Sequence, residues 1–517
     1  MKRFKKTLSL IFAAVMLVSM TVGANAATTV TKPDGDNHTY SVYQIMTGEV
    51  SGDTITNGKW GANSTKIVGE GVPKADLDTI AATVGKTNRE ILDVIEGYVD
   101  FSSTEFATVD AAGNISVDLP AGYYIVVDTT DLDPADGEAD SLNTYVVKVT
   151  DGDTLEIVEK RDVPTLEKTV MQNDTVDSTG LSTANEYGDL ADYSFGDTIP
   201  FKLKATLPSN FADYKTYVMS FVDSMEGMQY KDGMTLEVYD ASEGTTYVVA
   251  ESDYTGVPSA GDTEFTVALS NLRDGVTLED GTVLELAADD YFVLTYNAEF
   301  NAEAKVNEAN PNTAYLEYSS NPNAEDGGDL EDTPEEEVVV FTYKLTIEKV
   351  DNVGDPLSGV TFNIQNKDTG KYAVVENGKV TSWVDDEADA TVLTTDAEGL
   401  IAIEGLDEGT YTITELETND GFVMIDPFDV TISAGMEEDP ASLYALSSYE
   451  VTSTDTTNVN VTVESDLSNA TLEITNIPTS SLPSTGGMGR KIFYIVGGAL
   501  ILLALVCVVT RKVRKRD

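Results

Sequence analysis

The chain has 517 residues, with 89 acidic against 32 basic side chains, a formal net charge of −57, one histidine and one cysteine. Such an excess of negative charge excludes nucleic acid and anionic membrane surfaces as partners. A single histidine, His38, leaves no material for a histidine-rich metal site and disfavours a histidine-based hydrolytic triad. The sequence therefore points to no cofactor, no metal and no turnover chemistry.

Four basic residues, Lys2, Arg3, Lys5 and Lys6, precede an apolar run from Leu8 to Val22 and the small-x-small step Ala24-Asn25-Ala26. This is the pattern of a secretory signal peptide, assigned to 1–26. The only cysteine, Cys507, lies near the C-terminus, so the exported part has no thiol from which to build a disulfide.

Residues 27–163 are read as a first strand-rich unit with a helical insertion. Tyr40 to Ile45 reads as its opening strand and contains no lysine. From Pro73 to Tyr98 the spacing becomes helical, with Leu77, Ile80, Val84, Ile91, Leu92, Val94, Ile95 and Tyr98 as the apolar positions. Strands return at Ile115 to Asp118 and Tyr123 to Asp128, and Thr154 to Lys160 closes the unit. The acids Asp131, Asp133, Asp136, Glu138 and Asp140 suggest a calcium loop, but Gly137 comes one place late for an EF-hand, and a solvated acidic loop is the preferred reading.

Residues 164–338 form a second unit, with strands expected at Ile199–Thr206, Lys215–Asp223, Thr235–Tyr239, Tyr291–Phe300 and Thr313–Tyr318. The acidic run from Glu325 to Glu337, with Gly327, Gly328 and Pro334, reads as a linker. Strand alternation puts Lys168 on the face of Leu166 and Val170, and Asn312 in phase with Ala314 and Leu316.

Residues 339–478 repeat the frame of the first unit. Leu406 to Glu415 aligns with Leu119 to Asp128, and Thr471-Leu472-Glu473-Ile474 repeats Thr154-Leu155-Glu156-Ile157 letter for letter. Two copies of one β-sandwich are expected. Alternation aims three polar groups inward among apolar neighbours: Lys349 with Leu345 and Ile347, Glu415 with Tyr411 and Ile413, and Asn476 with Leu472 and Ile474. Burying them is expensive unless they act together.

These segments, Ile347 to Asp351, Tyr411 to Glu415 and Glu473 to Asn476, resemble the CnaB-type domains of Gram-positive surface proteins. The resemblance implies a fusion of Lys349 with Asn476 into an isopeptide, assisted by Glu415. The chemistry is reasonable, because burial favours the neutral form of an amine and of a carboxylic acid alike. A neutral amine is a nucleophile, and a protonated acid can polarise the amide as ammonia leaves. The second unit resembles the second domain of major pilins, which implies a Lys168–Asn312 bond assisted by Asp223, with Asn321 as an alternative partner. In the first unit Asp128 stands at the Glu415 position and Glu159 at the Asn476 position, so the same fold is expected there without a cross-link.

The last segment, 479–517, contains Leu482-Pro483-Ser484-Thr485-Gly486, Arg490-Lys491, an apolar run from Ile492 to Val509, and a basic tail from Arg511 to Arg516. The run is long enough to cross a bilayer, and the basic cluster places its end in the cytoplasm. This arrangement resembles a cell-wall sorting signal, which implies sortase cleavage between Thr485 and Gly486. Lys160, just before Val163-Pro164-Thr165, resembles the lysine of backbone pilins that accepts the next subunit, although Glu159 stands where that motif has proline.

Taken with these motifs, the chain resembles a backbone pilin of the SpaH/EbpB type. The resemblance implies a mainly β chain of tandem Ig-like, CnaB-type sandwiches with a C-terminal transmembrane sorting helix. It implies as partners a pilin-type (class C) and a housekeeping sortase, further copies of the chain, accessory pilins and peptidoglycan. A monomeric wall-anchored adhesin and an accessory tip or base pilin are the alternatives.

Overall fold

A computed structural model describes residues 29–33, 36–84, 86, 88–110, 115–116, 119–132, 139–150, 154–157, 162–173, 185–439, 443–479 and 501. The chain is built mainly of strands, and its buried apolar side chains gather into three cores.

In the N-terminal part, Tyr40–Ser51 is the central strand of a sheet. It pairs antiparallel with Thr54–Trp60, Gly122–Asp128 and the short Ala107–Val109, and Gly122–Asp128 pairs on to Thr144–Val149. The helical spacing resolves into two helices, Lys74–Ala81 and Asn88–Ile95. Val84 lies beyond the end of the first helix and is exposed rather than packed. The expected opening strand is not the first. Thr29–Thr31 precedes it and pairs parallel with Thr154–Glu156, setting Val30 against Leu155.

The middle part is a sandwich of two sheets. One runs Tyr187–Gly188, Leu166–Met171, Ile199–Thr206, Tyr291–Phe300, Met228–Asp240 and Thr245–Val248. The other contains Leu190–Asp192, Glu336–Phe341, Asn310–Ser319, Met219–Met225, Glu264–Leu269 and Tyr254–Thr255. Burial alternates strictly along Ile199–Thr206 and along most of Tyr291–Phe300 and Asn310–Ser319, as expected for strands with one face on a core.

The acidic run read as a linker is partly strand. Leu330–Asp332 pairs onto Asn310–Ser319 and buries Glu331, and Glu336–Phe341 begins inside the run. Composition favours solvation, but the edge of Asn310–Ser319 opposite Met219–Met225 supplies backbone partners that composition does not register. The expected boundary between 338 and 339 falls within the second of these strands. Its two faces divide between cores, Val338 and Val340 packing in the middle one and Val339 and Phe341 in the C-terminal one.

In the C-terminal part, Tyr343–Asp351 lies between Leu400–Leu406, antiparallel, and the closing strand Ala470–Pro478, parallel. Thr361–Asn366 pairs with Gly409–Glu417, which pairs in turn with Phe428–Asp439 and then Leu443–Ser453. The parallel contact between first and last strands repeats the N-terminal one: Ile347 faces Leu472 as Val30 faces Leu155.

Candidate functional site: two buried lysine, acid and asparagine clusters

The C-terminal cluster follows from register. Parallel pairing sets Lys349 opposite Ile474 and Asp351 opposite Asn476. Two-residue alternation then turns Lys349 and Asn476 into the same core, where both are fully buried. Lys349 Nζ donates to Ile474 O at 3.0 Å. Glu415, also buried, enters from the Gly409–Glu417 strand. Asn476 Nδ2 donates to Glu415 Oε1 at 2.6 Å and to Thr418 Oγ1 at 2.7 Å, while Glu415 Oε2 accepts the Ile425 amide at 3.0 Å. Asn476 Oδ1 has no hydrogen-bond partner. Burial pushes the Lys349 ammonium down to about 8, against the opposing pull of Glu415. Roughly a tenth of the amine is therefore neutral at pH 7, far more than for an ordinary lysine, beside an amide whose carbonyl oxygen is unused.

The middle cluster is split between two sheets. Lys168, on Leu166–Met171, and Tyr296, on Tyr291–Phe300, come from one. Asp223, on Met219–Met225, and Asn312, on Asn310–Ser319, come from the other. Lys168 Nζ donates to Asp223 Oδ2, and both side chains are inaccessible to solvent. Burial lowers the lysine and raises the acid, while their mutual attraction opposes both shifts. Tyr296 Oη donates to the Asp223 carboxylate, lying 3.0 and 2.9 Å from its two oxygens, and accepts Asn312 Nδ2 at 2.7 Å. It also lies 3.5 Å from Lys168 Nζ. Asn312 Oδ1, like Asn476 Oδ1, has no partner. Asn321 lies at the turn beyond the strand, where its Oδ1 accepts the Asn323 amide. The cluster is therefore reached by Asn312.

Tyr296 and Thr418 were not expected from sequence. For Tyr296 a signal was present: it is in phase with Phe292, Leu294 and Ala298, and a buried tyrosine hydroxyl requires a partner. Thr418 lies just past a strand end, where alternation gives no guidance.

The N-terminal part corrects one expectation. The strand before Tyr40 does bring a lysine, because Lys32 follows Thr31 in the same register step that Lys349 occupies opposite Ile474. Lys32 is buried and donates to His38 O at 2.8 Å. His38 is enclosed as well, with Asp128 Oδ2 2.7 Å from Nδ1 and Asp140 Oδ2 2.7 Å from Nε2. A three-residue strand carries too little periodicity to be detected, and only its parallel partner reveals it.

Glu159, Lys160 and the Leu482-Pro483-Ser484-Thr485-Gly486 pentapeptide lie outside the described residues. So do the signal peptide, Asp133, Asp136, Glu138 and the apolar run apart from Ile501. Among the described residues no helix is long and apolar enough to cross a membrane, and no group of three or more acids, histidines or cysteines could hold a metal ion.

Residues 343–441 match the family described as the SpaA prealbumin-like fold domain. The T6 backbone pilin of serotype M6 Streptococcus pyogenes, described as a modular three-domain structure, is 18% identical with a TM-score of 0.52, covering 89% of this chain and 100% of its own. This chain has the fold of a three-domain backbone pilin. The major pilin SpaD of Corynebacterium diphtheriae is also similar (16% identity, TM-score 0.45, 90% of this chain and 100% of that one). So is RrgB of Streptococcus pneumoniae (13%, 0.42, 88% and 100%). Among curated proteins none matches the chain. Within the pilin fold, both clusters connect a strand near the start of a sandwich to one near its end.

Proposed function

We propose that the chain is a structural backbone subunit of a sortase-assembled pilus on a Gram-positive cell wall. Its own lysines react once each, to form the Lys349–Asn476 and Lys168–Asn312 isopeptides with Glu415 and Asp223 as the assisting acids. One observation carries the reading: a fully buried amine, its ammonium weakened by burial, shares a core with the closing-strand asparagine and an acid. The pilin fold and the absence of cysteine from the exported part support it.

Thr485 of one subunit would be joined by a pilin-type sortase to Lys160 of the next, and a housekeeping sortase would attach the finished fibre to peptidoglycan. Two measurements test this. Intact mass of the chain from Ala27 to Ser481 should fall short of the sequence mass by two ammonias; a full-mass, folded product rejects the cross-links. Lys160→Ala should abolish the high-mass ladder on gels of wall extracts. A ladder that survives rejects linkage at this residue and favours a wall-anchored adhesin with another junction.

A further inference from the structure

The middle cluster differs from the C-terminal one in a way that assigns a role to Tyr296. In the C-terminal cluster the acid touches the asparagine amide directly, Asn476 Nδ2 to Glu415 Oε1 at 2.6 Å. In the middle cluster the amide's hydrogen bond goes to Tyr296 Oη at 2.7 Å, and that hydroxyl bonds in turn to Asp223. The same oxygen lies 3.5 Å from the Lys168 amine. It therefore touches acid, amide and nucleophile at once, in a site closed to solvent.

We propose that Tyr296 is a catalytic residue of cross-link formation in the middle unit, carrying the polarising hydrogen bond from Asp223 to the Asn312 carbonyl. The inference rests on the isopeptide reading above. In the starting state Lys168 is an ammonium against the Asp223 carboxylate, Tyr296 donates to that carboxylate, and Asn312 Nδ2 donates to Tyr296. Transfer of one proton from Nζ to Asp223 gives a neutral amine and a neutral acid. The acid now donates to Tyr296 Oη, so the hydroxyl must turn its proton towards Asn312. A half-turn of the amide presents Oδ1, which has no other partner, to receive it.

The Lys168 Nζ lone pair then attacks Asn312 Cγ, and the developing oxyanion is held by the Tyr296 hydroxyl. The new C–N bond forms and the Cγ–Nδ2 bond breaks. The second Nζ proton leaves with the amide nitrogen, so the products are one secondary amide and one ammonia. No oxidant or added reactant is needed. The ring's packing does not depend on the hydroxyl, since Tyr296 stacks on Phe201 at 5.3 Å and meets Phe265 edge-on at 5.1 Å.

The test uses the full chain synthesised cell-free in mild detergent and sampled over time from its release, before either cross-link has formed, with peptide mass spectrometry following both. Tyr296→Phe should slow the Lys168–Asn312 link on the order of 10²-fold, as for loss of one oxyanion donor. The Lys349–Asn476 link of the same molecules should form at the wild-type rate, serving as an internal control. Equal rates for Tyr296→Phe and wild type at Lys168–Asn312 would overturn the assignment. Placing 3-fluorotyrosine at 296 covers the case in which phenylalanine disturbs the fold. It keeps the hydroxyl and makes it a stronger donor, so the link should form faster; an unchanged rate overturns the relay. If wild-type chain itself yields no Lys168–Asn312 peptide, the cross-link reading of this unit fails, a result distinct from failure of the tyrosine's role.

Discussion

A lysine with no accessible surface has exchanged its hydration for whatever the core supplies, and Lys349 receives a single backbone carbonyl. That exchange holds its ammonium near 8, against 10.5 for an ordinary lysine. The consequence is measurable once the amine cannot be consumed. In Asn476→Ala the lysine stays free. Between about pH 8 and 10.5 the unfolded chain holds a proton that the folded chain does not. The unfolded state then binds more protons, so stability must rise with pH across this window. The full rise is about 3 kcal/mol at 1.36 kcal/mol per pH unit of difference. Wild-type protein should show none of this slope if, as proposed, its amine has been converted to an amide. Denaturant midpoints at pH 8 and pH 10.5 for the two proteins check it, and a flat profile in Asn476→Ala would mean that the buried lysine is hydrated after all.

At the scale of the strand, the inward trio Lys349, Glu415 and Asn476 was legible because each strand alternates cleanly, and a polar residue in an apolar phase stands out. The middle cluster was legible for its lysine, acid and asparagine for the same reason. Tyr296 was hidden because a tyrosine in an apolar phase looks like ordinary core. Lys32 was hidden for a different reason. Its strand is three residues long, and its place opposite the Thr154–Glu156 strand is a long-range fact of parallel pairing.

The lysine position in parallel register with a closing strand therefore occurs twice in the chain, but two residues beyond Ile157 the sequence has Glu159 where the C-terminal unit has Asn476. A carboxylate is a poor acyl donor, and the lysine already serves His38 O. We predict that Lys32→Ala changes the intact mass of the mature chain by its side chain alone. A further difference of one water would show that Lys32 had been amide-linked to an acid.

Across the whole molecule, the units meet through shared secondary structure as well as surface contacts. Glu336–Phe341 gives one face to each of two cores, and Leu190 and Ala191 divide the same way. The junction adds hydrogen bonds from the Glu408 amide to Asp192 and from Asn173 to Asp407. At the other junction Leu142 donates to Ser320 O, and Tyr318 to Asp140 O.

If Thr485 and Lys160 are the attachment points of a fibre and both proposed isopeptides form, load entering behind the closing strand reaches Asn476 and crosses to Lys349. It then runs back along the chain to Asn312, crosses to Lys168 and leaves at Lys160. Residues 350–475 and 169–311 lie outside that path, so neither sandwich can unravel under tension while its cross-link is intact. Pulling single molecules between positions 160 and 485 should extend wild-type chain without unfolding either sandwich. Asn476→Ala should add one unfolding step that releases the segment between 349 and 476, about 430 Å at ~3.4 Å per residue. A step of that length in wild-type chain would mean that the load is borne by the sheets and not by the side-chain amides.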